Sequence, residues 1–286
     1  MISITDKASF FNAGSNTIIC DNPDSVEFID SSININGEGN IVVIEDGAKM
    51  KGCVLKINGD NSLLYLSKSK HWYYLDATVN NNTAVYFGKN CYFNGRMTVV
   101  TSERQNVFVG KDGLFSYGIC IRTADPHLVY DCNTKQRLNH SASVLIGDHV
   151  WLGQAVMLLK GTQIGSGSII GAGAVCAGKK VHSNTSFAGN PARLIRENVF
   201  FTNKCVHSWT EDVSNENETA DTDEWVYSQD KNTVILTDID NALKACKTAN
   251  EKLNYIQNSL PKGKNRFYIA PQQKQKKGLF GKSKKD

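Results

Sequence analysis

The stretch VLIGDHVWLGQAVMLLKGTQIGSGSIIGAGAVCA, residues 144–177, carries a beat of six. Apolar side chains recur at Ile146, Leu152, Leu158, Ile164, Ile170 and Cys176. Small residues follow directly at Gly147, Gly153, Gly165, Gly171 and Ala177, with Leu159 the exception. Two positions before each apolar residue stand Val144, Val150, Val156, Thr162, Ser168 and Ala174. A period of six suits neither an amphipathic helix nor a hairpin pair. It fits short strands joined by tight corners, three to a turn, with turns stacked at the ordinary strand spacing of about 4.8 Å. Both periodic sets then point into a dry prism. The glycines are expected to relieve crowding at corners with unusual backbone dihedrals.

Working outward, the same rhythm returns at Val109, Phe115 and Ile121, and before that at Phe87, Phe93 and Val99. The two pieces are out of phase, so Ser102 to Asn106 is expected to loop outward. Short β-type runs at Ile41–Ile44, Cys53–Ile57 and Leu63–Leu66 are separated by Asn-Gly-Asp turns. Asn34, Asn36, Asn58, Asn61, Asn80, Asn81 and Asn82 would suit corners in the left-handed region. Residues 1–105 are therefore read as irregular N-terminal coils of the same solenoid, with a separate β domain as the alternative, and 106–202 as the β-helix that carries the repeat. Downstream, 203–270 is read as an extension with one helix, Thr237 to Leu260, ended by Pro261, that caps the open end of the stack. Glu211 to Glu224 reads as an exposed acidic loop, and 271–286 as a basic disordered tail.

Composition bounds the rest. Of 286 residues 41% are hydrophobic and 21% charged, which is ordinary for a globular protein. No apolar run approaches a membrane span and no signal peptide is evident, so a cytoplasmic protein is the expectation. The eight cysteines are scattered and read as apolar fillers. The net charge of +4 is concentrated in the lysine-rich tail, so a general nucleic-acid binder is disfavoured. That tail could give weak peripheral contact with anionic lipid.

Between Ile121 and Ile146 the beat is broken by a polar excursion. It places His127 two residues after Asp125 and directly after Pro126. An imidazole can take a proton from an alcohol near neutral pH, and a carboxylate can fix its tautomer. A solvated loop histidine is the alternative. A zinc site from Cys120, His127, Cys132 and His140 matches no standard spacing.

The segments Gly113-Leu-Phe-Ser-Tyr-Gly-Ile-Cys-Ile-Arg-Thr-Ala-Asp-Pro-His127, Val144 to Gly153, Ile170-Gly-Ala-Gly173 and Ala188-Gly-Asn-Pro-Ala-Arg193 resemble the hexapeptide-repeat O-acetyltransferases of bacterial surface polysaccharides. The resemblance covers about residues 107–201. It implies an all-β solenoid, a left-handed parallel β-helix with a small α-containing C-terminal extension. It also implies acetyl-CoA as cosubstrate without a metal, a saccharide acceptor on a capsular polysaccharide, and a homotrimer with sites at the subunit clefts. By the same resemblance His127 is the general base, Asp125 its supporting acid and Trp151 an active-site wall. Gly153, Gln154, Gly171, Ala172 and Ala177 would line the pantetheine groove, and Lys179, Lys180 and Arg193 would lie near the cofactor phosphates. Ala177-Gly178-Lys179-Lys180 departs from the family's usual pattern, which leaves open which lysine does so. N-acetylation of an amino sugar and a non-catalytic scaffold are the competing readings.

Overall fold

The computed structural model describes residues 1–271, and the basic tail lies outside the described residues. Among the described residues twenty-five strands form a coil with three faces, parallel throughout except for the first and last strands. The first face stacks Ile2–Ile4, Ser32–Asn36, Val54–Asn58, Leu75–Asn80, Met97–Val100, Ile119–Arg122, Met157–Leu159 and Val175–Ala177. The second runs from Thr17–Ile19 through Ile41–Ile44 and Val144–Ile146 to Lys180–Val181. The third holds Trp151–Leu152 and Ile169–Ile170, and ends on Arg193–Glu197. The architecture is the left-handed parallel β-helix with a small helical C-terminal extension.

All twelve periodic side chains point into the prism. Ile146, Leu152, Leu158, Ile164, Ile170 and Cys176 are 0% exposed, as are Val144, Val150, Val156, Thr162, Ser168 and Ala174. The two buried hydroxyls among them find carbonyl acceptors, Thr162 on Cys176 at 2.9 Å and Ser168 on His182 at 2.6 Å. The glycines act differently from the expectation. A Cβ on Gly153 would lie 2.6 Å from the Ala172 nitrogen of the next coil, so this position is required for close approach. Left-handed dihedrals fall two residues later, at His149 (φ 49°), Ala155 (φ 55°) and Gly173 (φ 68°).

Coil length changes along the axis. In the N-terminal half Ile33 pairs with Leu55, Leu55 with Ala77, Ala77 with Val99 and Val99 with Ile121, a 22-residue step each time. In the C-terminal half Leu158 pairs with Cys176, a step of 18. The four extra residues lengthen first-face strands to as many as six. Of the asparagines expected at left-handed corners, Asn61 and Asn82 take positive φ, whereas Asn34, Asn36, Asn58 and Asn80 lie in first-face strands. Antiparallel strands close both ends, Ile2–Ile4 on Ser32–Asn36 and Arg193–Glu197 on Thr185–Ala188.

The C-terminal extension corrects two expectations. It contains a short helix α1 (Glu211–Glu216) in the stretch read as a loop. The single helix expected over Thr237–Leu260 is two, α2 (Leu236–Ala245) and α3 (Ala249–Asn258). Thr248 restarts the helix by accepting from the Glu251 N–H, while Glu251 reaches back to the Lys247 N–H at 2.6 Å, a close relative of a capping box. The extension does not cap the end of the stack. Leu236, Ile239, Leu243, Leu253, Ile256, Phe267 and Ile269 pack lengthwise on the outer side of the second face, over Val43, Leu63, Tyr86, Phe108 and Leu145. Second-face strands are thus buried on both sides, which explains the unbroken apolar runs Ile41–Ile44 and Leu63–Leu66.

Candidate active site

The ladder is interrupted between Ile119–Arg122 and Val144–Ile146, where Cys120 pairs with Met157 and Val107 with Val144, steps of 37 residues. The surplus leaves the corner between the first and second faces as an arm, residues 123–142. Its chain folds back on itself through a Tyr130–Arg137 bridge and the Leu138 N–H on the Val129 carbonyl at 2.9 Å. The tip is an Asx turn, with the Asp131 carboxylate accepting from the N–H groups of Asn133 and Thr134 at 2.8 and 2.7 Å. At the base the Arg137 guanidinium grips both Glu103 oxygens at 2.8 Å, and Ser141 donates to the same carboxylate. The Arg137 fork, with Ser141, holds the Glu103 carboxyl down to about 2.

His127 lies on this arm and is exposed. Among the described residues its imidazole makes no hydrogen bond or ion pair, whereas its carbonyl accepts from the Asn139 side-chain amide at 2.7 Å. The Asp125 carboxylate is directed elsewhere than the imidazole: Oδ2 accepts from Lys160 Nζ at 2.6 Å and from Asn139 Nδ2 at 3.2 Å. Lys160, then Asn139, holds that carboxyl below the usual range. Asn139 Oδ1 also accepts from the Val129 N–H at 2.9 Å.

The other named residues divide between corners and faces. Ala177, Lys179 and Lys180 lie at the corner from which the arm departs; Lys160 is there too, its carbonyl accepting from the Gly178 N–H at 3.0 Å. Gly153, Gln154, Gly171 and Ala172 form the corner between the third and first faces, where Gln154 and Ala172 are exposed. Arg193 opens the last strand and is exposed. Trp151 lies on the third face at 39% exposure, its ring 5.6 Å from Phe201. One chain therefore brings His127 near the lysine corner but leaves Trp151 and the small-residue corner on other sides of the prism.

His149 is a core residue. It is 0% exposed and stacked between Trp225 at 3.6 Å and Phe201 at 4.0 Å, and burial pushes its pKa down. The zinc alternative is not assembled, since no group of His, Cys, Asp or Glu among the described residues could hold a metal ion. The sequence did not single out Asn139, Lys160, Glu103 or Phe201, which the structure brings to the arm and to Trp151. Lys160 and Asn139 carry no motif, and only the fold brings them to Asp125 and His127.

A family model for bacterial transferase hexapeptide (six repeats) matches residues 143–178. The polysialic acid O-acetyltransferase of Neisseria meningitidis is 30% identical over 179 residues, 62% of this chain and 82% of that protein. A polysialic acid O-acetyltransferase of Escherichia coli O1:K1 is 33% identical over 126 residues, 44% of this chain and 40% of the relative. Crystal structures of a polysialic-acid-specific acetyltransferase and of a polysialic acid O-acetyltransferase superpose with TM-scores of 0.59 and 0.61. Each is 25% identical and covers 71% of this chain, and 93% and 95% of the respective relatives. Fold, repeat and relatives together define an acyltransferase class: the chain belongs to the hexapeptide-repeat O-acetyltransferase family. Three of the relatives named for polysialic acid are matched over 82%, 93% and 95% of their own length.

Proposed function

We propose that this protein transfers the acetyl group of acetyl-CoA to a sugar hydroxyl of a bacterial capsular polysaccharide, with His127 as general base. The observation that carries the reading is the arm. A rigid prism breaks its ladder to hold a histidine out from one corner, its imidazole unencumbered and its backbone tied down. The family supplies the acyl transfer, and the polysialic acid relatives suggest the acceptor.

In the proposed reaction the His127 imidazole takes the proton of the acceptor hydroxyl as its oxygen attacks the thioester carbon. The new C–O bond forms, the tetrahedral intermediate collapses, the C–S bond breaks, and the departing thiolate of coenzyme A takes the proton back from the His127 imidazolium. Trp151 walls the acyl pocket, and its indole N–H or a nearby backbone amide meets the oxyanion. The pantetheine runs past Gly153, Gln154, Gly171, Ala172 and Ala177, with Lys179, Lys180 and Arg193 toward the phosphates. No acyl-enzyme is needed. Burial pushes the Cys91 and Cys176 thiols up to about 12 and about 11, a poor state for nucleophiles.

A homotrimer completes this reading. Within one chain the pieces lie around the prism, and a second prism alongside would set the arm of one against the small-residue corner of the next. The arm exposes Leu128 (55%), Tyr130 (52%) and Leu138 (60%), an apolar strip suited to such a neighbour. Incubation with acetyl-CoA and a panel of surface polysaccharides tests the reaction. Hydroxylamine-labile acetyl esters are expected. Amide-linked acetyl groups would favour amino-sugar N-acetylation, and no transfer to any acceptor would favour a scaffold. Sedimentation should give three times the chain mass, and a monomer under assay conditions would remove the shared site.

A further inference from the structure

We propose that Asn139, anchored through Asp125 and Lys160, is the positioning device of the reaction, holding His127 through its backbone; the proposal rests on His127 being the base. The arm is an exposed insertion of about twenty residues, yet Asn139 within it is only 9% exposed and uses both ends of its amide. Nδ2 donates to the His127 carbonyl at 2.7 Å and to Asp125 Oδ2 at 3.2 Å, while Oδ1 accepts from the Val129 N–H at 2.9 Å. One side chain thereby fixes residues 125, 127 and 129. The assembly is tied to the rigid prism by Lys160, whose ammonium lies 2.6 Å from Asp125 Oδ2 and whose carbonyl is held by the Gly178 N–H.

This assigns Asp125 a different task from the one its spacing suggested. Its Oδ2 already serves two donors, so the carboxylate acts as a mechanical link between corner and clamp. A base on a loose arm would sample positions an ångström or more from the attack line, which costs about 100-fold in rate. An asparagine at 125 preserves an acceptor for both donors, so charge there matters less than the oxygen.

The test compares kcat and KM across pH for wild type, His127→Ala, Asn139→Ala, Asp125→Asn, Lys160→Met and Lys160→Arg, with acetyl-CoA and the acceptor the wild type acetylates in the panel above. Acetyl-CoA binding stoichiometry and Tm are measured alongside. Asn139→Ala is expected to lower kcat about 10- to 100-fold. Its KM for acetyl-CoA, binding stoichiometry and acid limb of the pH profile stay as in the wild type, whereas a folding defect would lower the stoichiometry. Lys160→Met follows the same pattern and serves if Asn139→Ala folds poorly, while Lys160→Arg and Asp125→Asn stay within about fivefold of wild type. Wild-type kcat in a folded Asn139→Ala beside a dead His127→Ala overturns the clamp and leaves the base assignment standing. An Asp125→Asn protein as slow as His127→Ala with a displaced acid limb overturns it too, since Asp125 would then act by its charge. Activity retained in His127→Ala removes the base itself.

Discussion

A single methyl group distinguishes two explanations of the small residues in the repeat. They were expected to serve unusual dihedrals, but at Gly153 the demand is proximity: a Cβ would meet backbone atoms of Ala172 and Gly171 at 2.6 and 3.0 Å. Gly153→Ala is therefore expected to destabilise the fold by about 1–3 kcal/mol, the usual cost of overpacking. Denaturant unfolding checks this, and an unchanged midpoint would show that the neighbouring coil gives way to the methyl group. Inward positions were legible because a dry prism tolerates few side-chain types, and twelve fully buried residues stood at their expected places. His127 stands out as a candidate because it lies where that rule is broken. Asn139 does not, since an asparagine twelve residues away in a polar insertion has no signature until the arm folds back.

Among the elements, the 18-residue coils announced themselves and the 22-residue coils did not. The extra residues, which lengthen strands on the first and second faces, change the phase of the apolar pattern on every turn, so the six-residue beat appears only in fragments. The placement of the extension was equally hidden, because the second face reads as buried strand whatever covers it. Its docking has a polar pin. Arg266 donates from Nε and Nη2 to Asp148 at 2.8 Å each, and Asp148 is 0% exposed at a corner of the repeat. Removing one partner strands a buried charge. Arg266→Met is thus expected to cost about 3–5 kcal/mol, with much of it recovered in the Arg266→Met/Asp148→Asn pair. A double-mutant cycle by chemical denaturation checks this, and additive losses would show that the two side chains act separately.

On the scale of the molecule, the extension covers the second face, while no helix among the described residues is long and apolar enough to cross a membrane. The extension also buries Lys252 at 1% exposure, with its ammonium on the Asn61 carbonyl and the Asn82 side chain. Burial lowers its pKa to about 8 from 10.5. Below about 8 both states carry the charge and the fold bears the desolvation cost. Between about 8 and 10.5 the folded chain binds fewer protons than the unfolded one, so this residue's contribution to stability rises with pH. Buried thiols and tyrosines, pushed upward, run the opposite way. The measurement is accordingly a difference: wild-type stability relative to Lys252→Met should gain about 2 kcal/mol from pH 7.5 to 10, and a flat difference would contradict the shift. The proposed reaction depends on one exposed imidazole, that of His127. Its most direct test is the rate of acetyl transfer from acetyl-CoA to polysaccharide by folded His127→Ala beside the wild type. A loss of about 10²- to 10⁴-fold with acetyl-CoA binding intact is expected, and transfer at the wild-type rate would contradict it.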